Sequence, residues 1–366
     1  MTKSRRTPAP VASTKTAADV VLYGATGYTG HLAAHAMERA GVSMVLAGRN
    51  RESLGRMARE FDEEHPVAVA RHDDPKALGE LASMGKVLAS TAGPFAEVGE
   101  LTVAAAVAQG VHYLDSSGET EFMAQTYRRH HATARGKGIV VMNSCAFEYV
   151  IGDCAVELAL ADYPSARNLR VSYWIPDKAA TRGTTLSALG ILFGKEGLKT
   201  RAAGRRIAFP LPAGSRWAVT YPGGETELLP RRRPEVDIST LMEVPEMVAR
   251  STALLPALAT IVSFQPVRGG IRSAVRRMPE GPAPQRRARQ RWMILVEVDP
   301  DDDGRRRIVV EGVDPYGLTG EVLARTAARL LAGKQRAAGV LSPAQAFDPL
   351  ETLDSLADLG VSWRRD

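Results

Sequence analysis

Val20-Val21-Leu22-Tyr23-Gly24-Ala25-Thr26-Gly27-Tyr28-Thr29-Gly30 runs from a β-branched stretch into three glycines, each separated from the next by two residues. Beyond it Leu32, Ala33, Ala36, Met37 and Ala40 recur at helical spacing, which predicts a helix from about Thr29 to Ala40, stopped by Gly41. A strand that feeds a helix through such a loop has a mechanical reading. Glycine permits the tight turn and a close backbone approach, while the helix start offers unpaired N–H groups and the positive end of its dipole to a diphosphate. Gly24, Thr26, Gly27, Tyr28, Thr29 and Gly30 are therefore candidate dinucleotide-binding residues.

Working outward, the same strand-then-helix rhythm continues to Met142. Strands are predicted at Met44–Ala47, Val67–Ala70, Val87–Ser90, Tyr113–Leu114 and Ile139–Met142. Asn50 and Asp74-Pro75 are predicted to open the helices after the second and third strands, and a further helix is expected from about Glu100 to Gln109. Six strands with crossover helices predict an α/β fold, a Rossmann-type doubly wound parallel sheet over residues 19–150. The pattern changes after Ile151. A helix over Gly152–Asp162, a strand at Leu169–Trp174 and a hairpin of Trp292–Val298 with Arg306–Glu311 predict a second, α+β domain for substrate binding and dimerisation over 151–317. Arg231–Arg233 and the Arg-rich stretch 268–291 read as mobile loop. Helices at Thr319–Ala332 and Pro343–Leu359, within a C-terminal segment 318–366, are expected to pack on either domain.

The end of the second strand selects the cofactor. A site for NAD places an acidic residue there, roughly 20 residues after the glycines, to hold the ribose 2′-hydroxyl. This chain has Ala47-Gly48-Arg49 instead, and a guanidinium binds a 2′-phosphate in bidentate fashion, so Arg49 predicts NADP. After the third strand, Asp73 either accepts from the adenine amine or caps the next helix. After the fourth, Ala92, Gly93 and Pro94 are the expected second anchor, beside the nicotinamide ribose.

Composition narrows the remaining classes. The chain has 366 residues, 45% of them hydrophobic and 24% charged, an ordinary globular balance. No apolar run reaches the ~20 residues needed to span a bilayer, and Ser251–Phe264 reads as a buried or interfacial helix. Residues 1–18 are basic and polar without an apolar core, a disordered leader that points to the cytoplasm. Two cysteines and the absence of a CxxC pair or a histidine cluster argue against a disulfide or a metal. The formal charge of +6 comes with dispersed arginines and no basic motif with interleaved aromatics, and an acidic ligand or partner explains it as well as nucleic acid does.

Separated motifs resemble the saccharopine dehydrogenase-like family, including its trans-acting enoyl reductase branch. They are Gly24–Gly30, Ala47-Gly-Arg49, Ala92-Gly-Pro-Phe95 with Gly99, His112-Tyr-Leu-Asp-Ser-Ser-Gly-Glu119, Arg182-Gly-Thr184, Asp314-Pro-Tyr-Gly-Leu-Thr319 and Leu341-Ser-Pro-Ala344. The resemblance covers nearly the whole chain and implies an NADPH-dependent oxidoreductase that reduces the activated C=C bond of a small-molecule or acyl-carrier-linked substrate. Saccharopine-type C–N chemistry and a non-catalytic NADP-binding sensor are the alternatives. The family pattern Cys-Gly-Phe-Asp, followed by a proline and an aspartate, becomes Cys145-Ala-Phe-Glu148-Tyr-Val-Ile-Gly-Asp153 here. Reduction needs a proton source beside the hydride, and Asp115, Glu119 and Tyr149, with Glu148, are the candidate catalytic residues near the predicted carboxyl edge of the sheet, while Tyr173 or Tyr316 is expected to reach over from the second domain. Asp115 and Glu119 have an equally simple reading as caps of the helix that follows them.

Overall fold

The computed structural model describes residues 18–177, 179–193, 204–250, 265–299 and 306–366. The leader, apart from Ala18, and the apolar stretch 251–264 lie outside these residues, as does the turn of the predicted hairpin after Asp299.

The first sheet contains β1 (Val20–Tyr23), β2 (Met44–Gly48), β3 (Val67–Val69), β4 (Val87–Ser90), β5 (His112–Asp115) and β6 (Val140–Met142). A seventh strand, β13 (Gly339–Val340), comes from far down the chain, and the order is β13-β6-β5-β4-β1-β2-β3. Every pairing is parallel. Alternation along each strand divides the core between the two faces. Val20, Leu22, Met44, Leu46, Val87, Ala89 and Leu114 pack on one side, and Val21, Tyr23, Val45, Ala47, Leu88 and Tyr113 pack on the other. Both faces are covered, as a parallel sheet requires. The covering helices are α1 (Tyr28–Arg39), α2 (Arg51–Ala58), α3 (Pro75–Ala82), α4 (Phe95–Gln109) and α5 (Thr120–Gly136), with α6 (Phe147–Asp162) leading out of the domain. Asn50 and Asp74 cap α2 and α3 as predicted, accepting from Ser53 N and Ala77 N at 3.0 Å each.

The second sheet is mixed, in the order β14-β12-β11-β7-β10-β9-β8. Its strands are β7 (Asn168–Trp174), β8 (Arg205–Ala208), β9 (Ser215–Thr220), β10 (Asp237–Glu243), β11 (Arg291–Val298), β12 (Arg307–Val313) and β14 (Ser362–Arg365). Strands β11 and β12 pair antiparallel, as the predicted hairpin requires. α6 covers one face through Val150, Ile151, Cys154 and Leu158, which join Val171, Tyr173, Trp292 and Ile294 in one core.

The remaining helices are α7 (Arg182–Phe193), α8 (Glu225–Leu228), α9 (Glu246–Arg250), α10 (Gln265–Arg276), α11 (Pro284–Arg287), α12 (Pro315–Leu331), α13 (Pro343–Ala346) and α14 (Pro349–Asp354). Several differ from the sequence reading. The stretch 268–291 is not one loop: α10 and α11 occupy much of it, with Arg286 paired to Asp177 and Arg287 to Asp314. Arg232 sits in a turn, but its side chain is anchored: it bridges Asp153 and Glu157 at 2.5 Å each and is only 12% exposed. The single helix expected over Pro343–Leu359 breaks at Phe347, where Asp348 caps a new start and Pro349 occupies its first position. α12 lies along α1, and at Gly320 a Cβ would stand 2.9 Å from the Leu32 backbone, so glycine permits the close crossing.

Candidate active site

The glycine loop is built from its own backbone. Gly24 sits at φ +86°, where glycine is favoured, and its N–H donates 2.9 Å to Ala47 O at the end of β2. Gly27 N closes the turn onto Gly24 O at 2.9 Å, and Thr91 Oγ1 at the end of β4 donates to the same carbonyl at 3.0 Å. A Cβ on Gly30 would lie 2.2 Å from Gly24 O and 2.8 Å from Thr91 Oγ1. α1 is thereby drawn tight against the strand ends, with Gly27 as an N-cap that brings no side chain to its first turn. Those N–H groups face outward beside exposed Thr26 and Gly27 and half-buried Thr29, the arrangement that receives an anion. Tyr28 does something else. Its hydroxyl donates 2.6 Å to Pro282 O, its ring meets Tyr316 edge-on at 5.6 Å, and Gly281 leaves room for it. It fastens the loop to the second domain.

Arg49 directly follows β2 and is exposed. It and Asp73 lie close enough to the Tyr23 hydroxyl for both charges to act on it, although burial dominates in raising that phenol. Asp73 accepts a bidentate pair from Arg71 at 2.9 and 2.7 Å, which holds its carboxyl at about 2. The helix cap that the sequence left open for Asp73 belongs to Asp74.

Ala92, Gly93 and Pro94 form the turn from β4 into α4, with Pro94 as N-cap and a cis Gly93–Pro94 bond. α4 begins at Phe95, earlier than the sequence suggested, because Glu119 caps it from across the sheet edge: Oε1 and Oε2 accept from Phe95 N and Ala96 N at 2.9 and 2.6 Å. Ser187 Oγ also donates to Glu119 at 2.8 Å. Asp115 is fully buried and accepts from Ser117 N, Ser144 N and Asn143 Nδ2 at 2.9, 3.0 and 2.8 Å. Burial pushes its carboxyl up against these bonds. It ties the loop after β5 to the loop after β6.

The departure at 145–153 has a clear structural use. α6 starts at Phe147, five residues before the predicted Gly152, so Glu148 and Tyr149 stand in its first turn. Tyr149 Oη lies 3.0 Å from Tyr221 Oη, and Tyr173 Oη donates to Glu225 Oε1. Glu225 Oε2 is buried with no hydrogen-bond partner among the described residues. Glycines make the space: a Cβ on Gly152 would fall 2.1 Å from Glu225 Oε1, on Gly223 2.8 Å from Oε2, and on Gly224 2.8 Å from the Tyr149 ring. Burial pushes Glu148 up to about 7 and Glu225 to about 8, and raises the phenols of Tyr149, Tyr173 and Tyr221. Glu148 is half-buried and gives the group an opening. Tyr316 comes from α12 to the same place, accepting from Thr181 N at 3.1 Å within the field of Glu148. Gly118, next to Glu119, would put a Cβ 3.5 Å from Tyr149 Oη, which sets the cluster against the loop after β5. Sequence reasoning missed Tyr221 and Glu225. Tyr221-Pro222-Gly223-Gly224-Glu225 carried the signal, a glycine pair directly ahead of an acid.

Residues 20–142 match the family described as Saccharopine dehydrogenase NADP binding domain. This segment is a saccharopine dehydrogenase-type NADP-binding domain. A Mycobacterium tuberculosis protein named as a candidate trans-acting enoyl reductase is 35% identical over 147 residues, 38% of this chain and 34% of that protein. The trans-acting enoyl reductase of Mycobacterium leprae is 33% identical over 143 residues, with the same shares, and a lipid droplet localized protein of Caenorhabditis elegans is 29% identical over 149. The match therefore spans about a third of the length of these relatives and less of this chain than the motifs suggested. The fold likeness is wider. Saccharopine dehydrogenase (L-Glu forming) from Saccharomyces cerevisiae superposes over 95% of this chain and 100% of its own, with a TM-score of 0.60 and 13% identity. The NADP-binding domain and its mixed-sheet partner thus share that enzyme's architecture. Among the described residues no helix is long and apolar enough to cross a membrane.

Proposed function

We propose that the protein is an NADPH-dependent reductase of an activated C=C bond on a hydrophobic or acyl-carrier-linked substrate. The observation that carries this reading is the Tyr149–Tyr221 pair with Glu148, set against the loop after β5 at the carboxyl edge of an NADP-binding sheet. That edge is where doubly wound sheets bind their ligands, and the enoyl reductase names of the relatives support the reaction class. The residues present fit the dinucleotide. The uncapped start of α1 with Gly24, Thr26, Gly27, Thr29 and Gly30 suits the diphosphate, exposed Arg49 the 2′-phosphate, and Ala92, Gly93 and Pro94 the nicotinamide ribose. Asp73 serves the adenine amine only through whatever accepting capacity Arg71 leaves it.

The chemistry supplied by bound NADPH is hydride delivery. The chain supplies the proton and the geometry. Tyr149 holds a proton that burial keeps on the phenol, Tyr221 shares it across 3.0 Å, and Glu148, half-open and near neutrality, exchanges with solvent. Asp115 and Glu119 position the loops: among the described residues their carboxyl groups accept hydrogen bonds from backbone, amide and hydroxyl donors. The net charge of +6 draws an acidic carrier toward the second domain.

Arg49→Ala is expected to weaken NADPH binding by at least ~10-fold, the value of a charge-assisted pair, and to leave NADH within ~2-fold. Fluorescence titration with both nucleotides checks this, and equal losses would remove the 2′-phosphate assignment. Oxidation of NADPH that depends on an enoyl thioester is the test of the reaction, with Tyr149→Phe expected to lower kcat by ~100-fold or more at unchanged NADPH affinity. Turnover of saccharopine, or no turnover across enoyl thioesters and free enones by protein that binds NADPH, would overturn the reading.

A further inference from the structure

Three of the chain's seven histidines gather where α1 meets the connection from α2 to β3. His31 and His35 are one helical turn apart and share a face, with ring centroids 4.7 Å apart and planes at 76°. Glu60 reaches them from just past α2, its Oε2 lying 2.6 Å from His31 Nε2. One donor atom from each of His31, His35 and Glu60 lies within 4.8 Å of the other two. The sequence reading, which found no histidine cluster, passed over this i, i+4 pair because its third member is distant along the chain.

The surroundings support the group from behind. Glu38 Oε2 is 4.0 Å from His35 Nδ1, and Glu38 Oε1 is 3.9 Å from His65 Nε2. Both Glu38 Oε1 and His65 Nε2 are buried and have no hydrogen-bond partner among the described residues, and the His65 side chain is only 5% exposed. Phe61 stands between the imidazoles, 4.6 Å from His35 and 5.0 Å from His65. In front, His31 and His35 line a cavity bounded by Leu32, Arg39, Pro284 and Arg287, which gives an ion a path in and room for water ligands.

We propose that His31, His35 and Glu60 form a binding site for a divalent transition-metal ion of the zinc class. Two imidazole nitrogens and one carboxylate oxygen favour Zn²⁺, Ni²⁺ or Cu²⁺ over Mg²⁺ and Ca²⁺, which take oxygen sets. The bound ion would clamp the first turns of α1 to the 60–65 connection, bracing the helix close to the end that faces the diphosphate.

The test uses the full chain, stripped with EDTA, exchanged into clean buffer and titrated with Zn²⁺ against a chromogenic chelator, with the visible absorption of Co²⁺ as a second readout. One equivalent is expected to bind, with His31→Ala and His35→Ala each losing ~10-fold or more in affinity and Zn²⁺ raising the thermal midpoint of the parent chain alone. The His31 and His35 side chains are 40% and 33% exposed, so both variants should match the parent in circular dichroism with EDTA present. Glu60→Gln, at a more exposed position, gives the same reading should either alanine variant misfold. Binding below one equivalent, or binding that survives loss of both histidines, would overturn the site. Neither outcome depends on the catalytic reading.

Discussion

Gly30→Ala is expected to cost about 3 kcal/mol of stability or more and to abolish NADPH binding. The added methyl would sit 2.2 Å from Gly24 O, 2.8 Å from Ala25 O and 2.8 Å from Thr91 Oγ1. Two of these are backbone atoms held by the strand-end hydrogen bonds of Gly24 and Ala25 to Ala47 O. Relief therefore requires α1 to back away from the end of β4, which takes its free N–H groups out of position and opens the packing of Ala33, Ala34 and Met37. Gly55→Ala is the control: on α2 the nearest atom to its new methyl is 3.9 Å away, and the change should be neutral or stabilising by up to ~1 kcal/mol. Urea denaturation and NADPH titration measure both variants. Equal stabilities for the two would show that the close approach is not what the loop requires of residue 30.

Glu225→Gln should change how stability depends on pH. The carboxyl of Glu225 moves from an ordinary 4.5 to about 8 on burial. Between those values the folded chain keeps a proton that the unfolded chain has released, so stability falls as pH rises through this window and levels off above it. The loss amounts to roughly 3–5 kcal/mol at pH 8 relative to pH 5. Glutamine cannot ionise and still accepts from Tyr173, so the variant should lose most of this slope. A smaller decline remains from Glu148, which is raised in the same direction to about 7. Unfolding midpoints at pH 5, 6, 7 and 8 decide the matter, and parallel curves for parent and variant would mean that Glu225 is ionised in the fold.

The parts of this molecule that could be read from sequence are those whose causes are local. The strands β1, β2 and β4, the caps at Asn50 and Asp74 and the glycine loop each depend on residues within one turn of one another. The misplaced boundaries have distant causes. α4 starts at Phe95 because a carboxylate from beyond β5 caps it, and α6 starts at Phe147, whose ring packs on Trp292 at 5.3 Å, although Ala146 gives it no side-chain cap. Arg286 and Arg287 looked like solvated loop because their acceptors, Asp177 and Asp314, are remote in sequence or follow a strand. The site divides in the same way. Gly24, Gly27 and Gly30 announce themselves, whereas Tyr221 and Glu225 join Tyr149 and Tyr173 only after the mixed sheet has brought them across.

The closing strands of the two sheets have a consequence for biosynthesis. β13 pairs with β6 through Gly339 with Val140 and Val340 with Val141, and β14 pairs with β12. The nucleotide-binding sheet must therefore wait on the ribosome, its β6 edge exposed, while about 200 further residues are made. An uncovered parallel edge of Val140, Val141 and Met142 is a template for pairing with a neighbouring chain. Nascent chains stalled before Gly339 should be the aggregation-prone species.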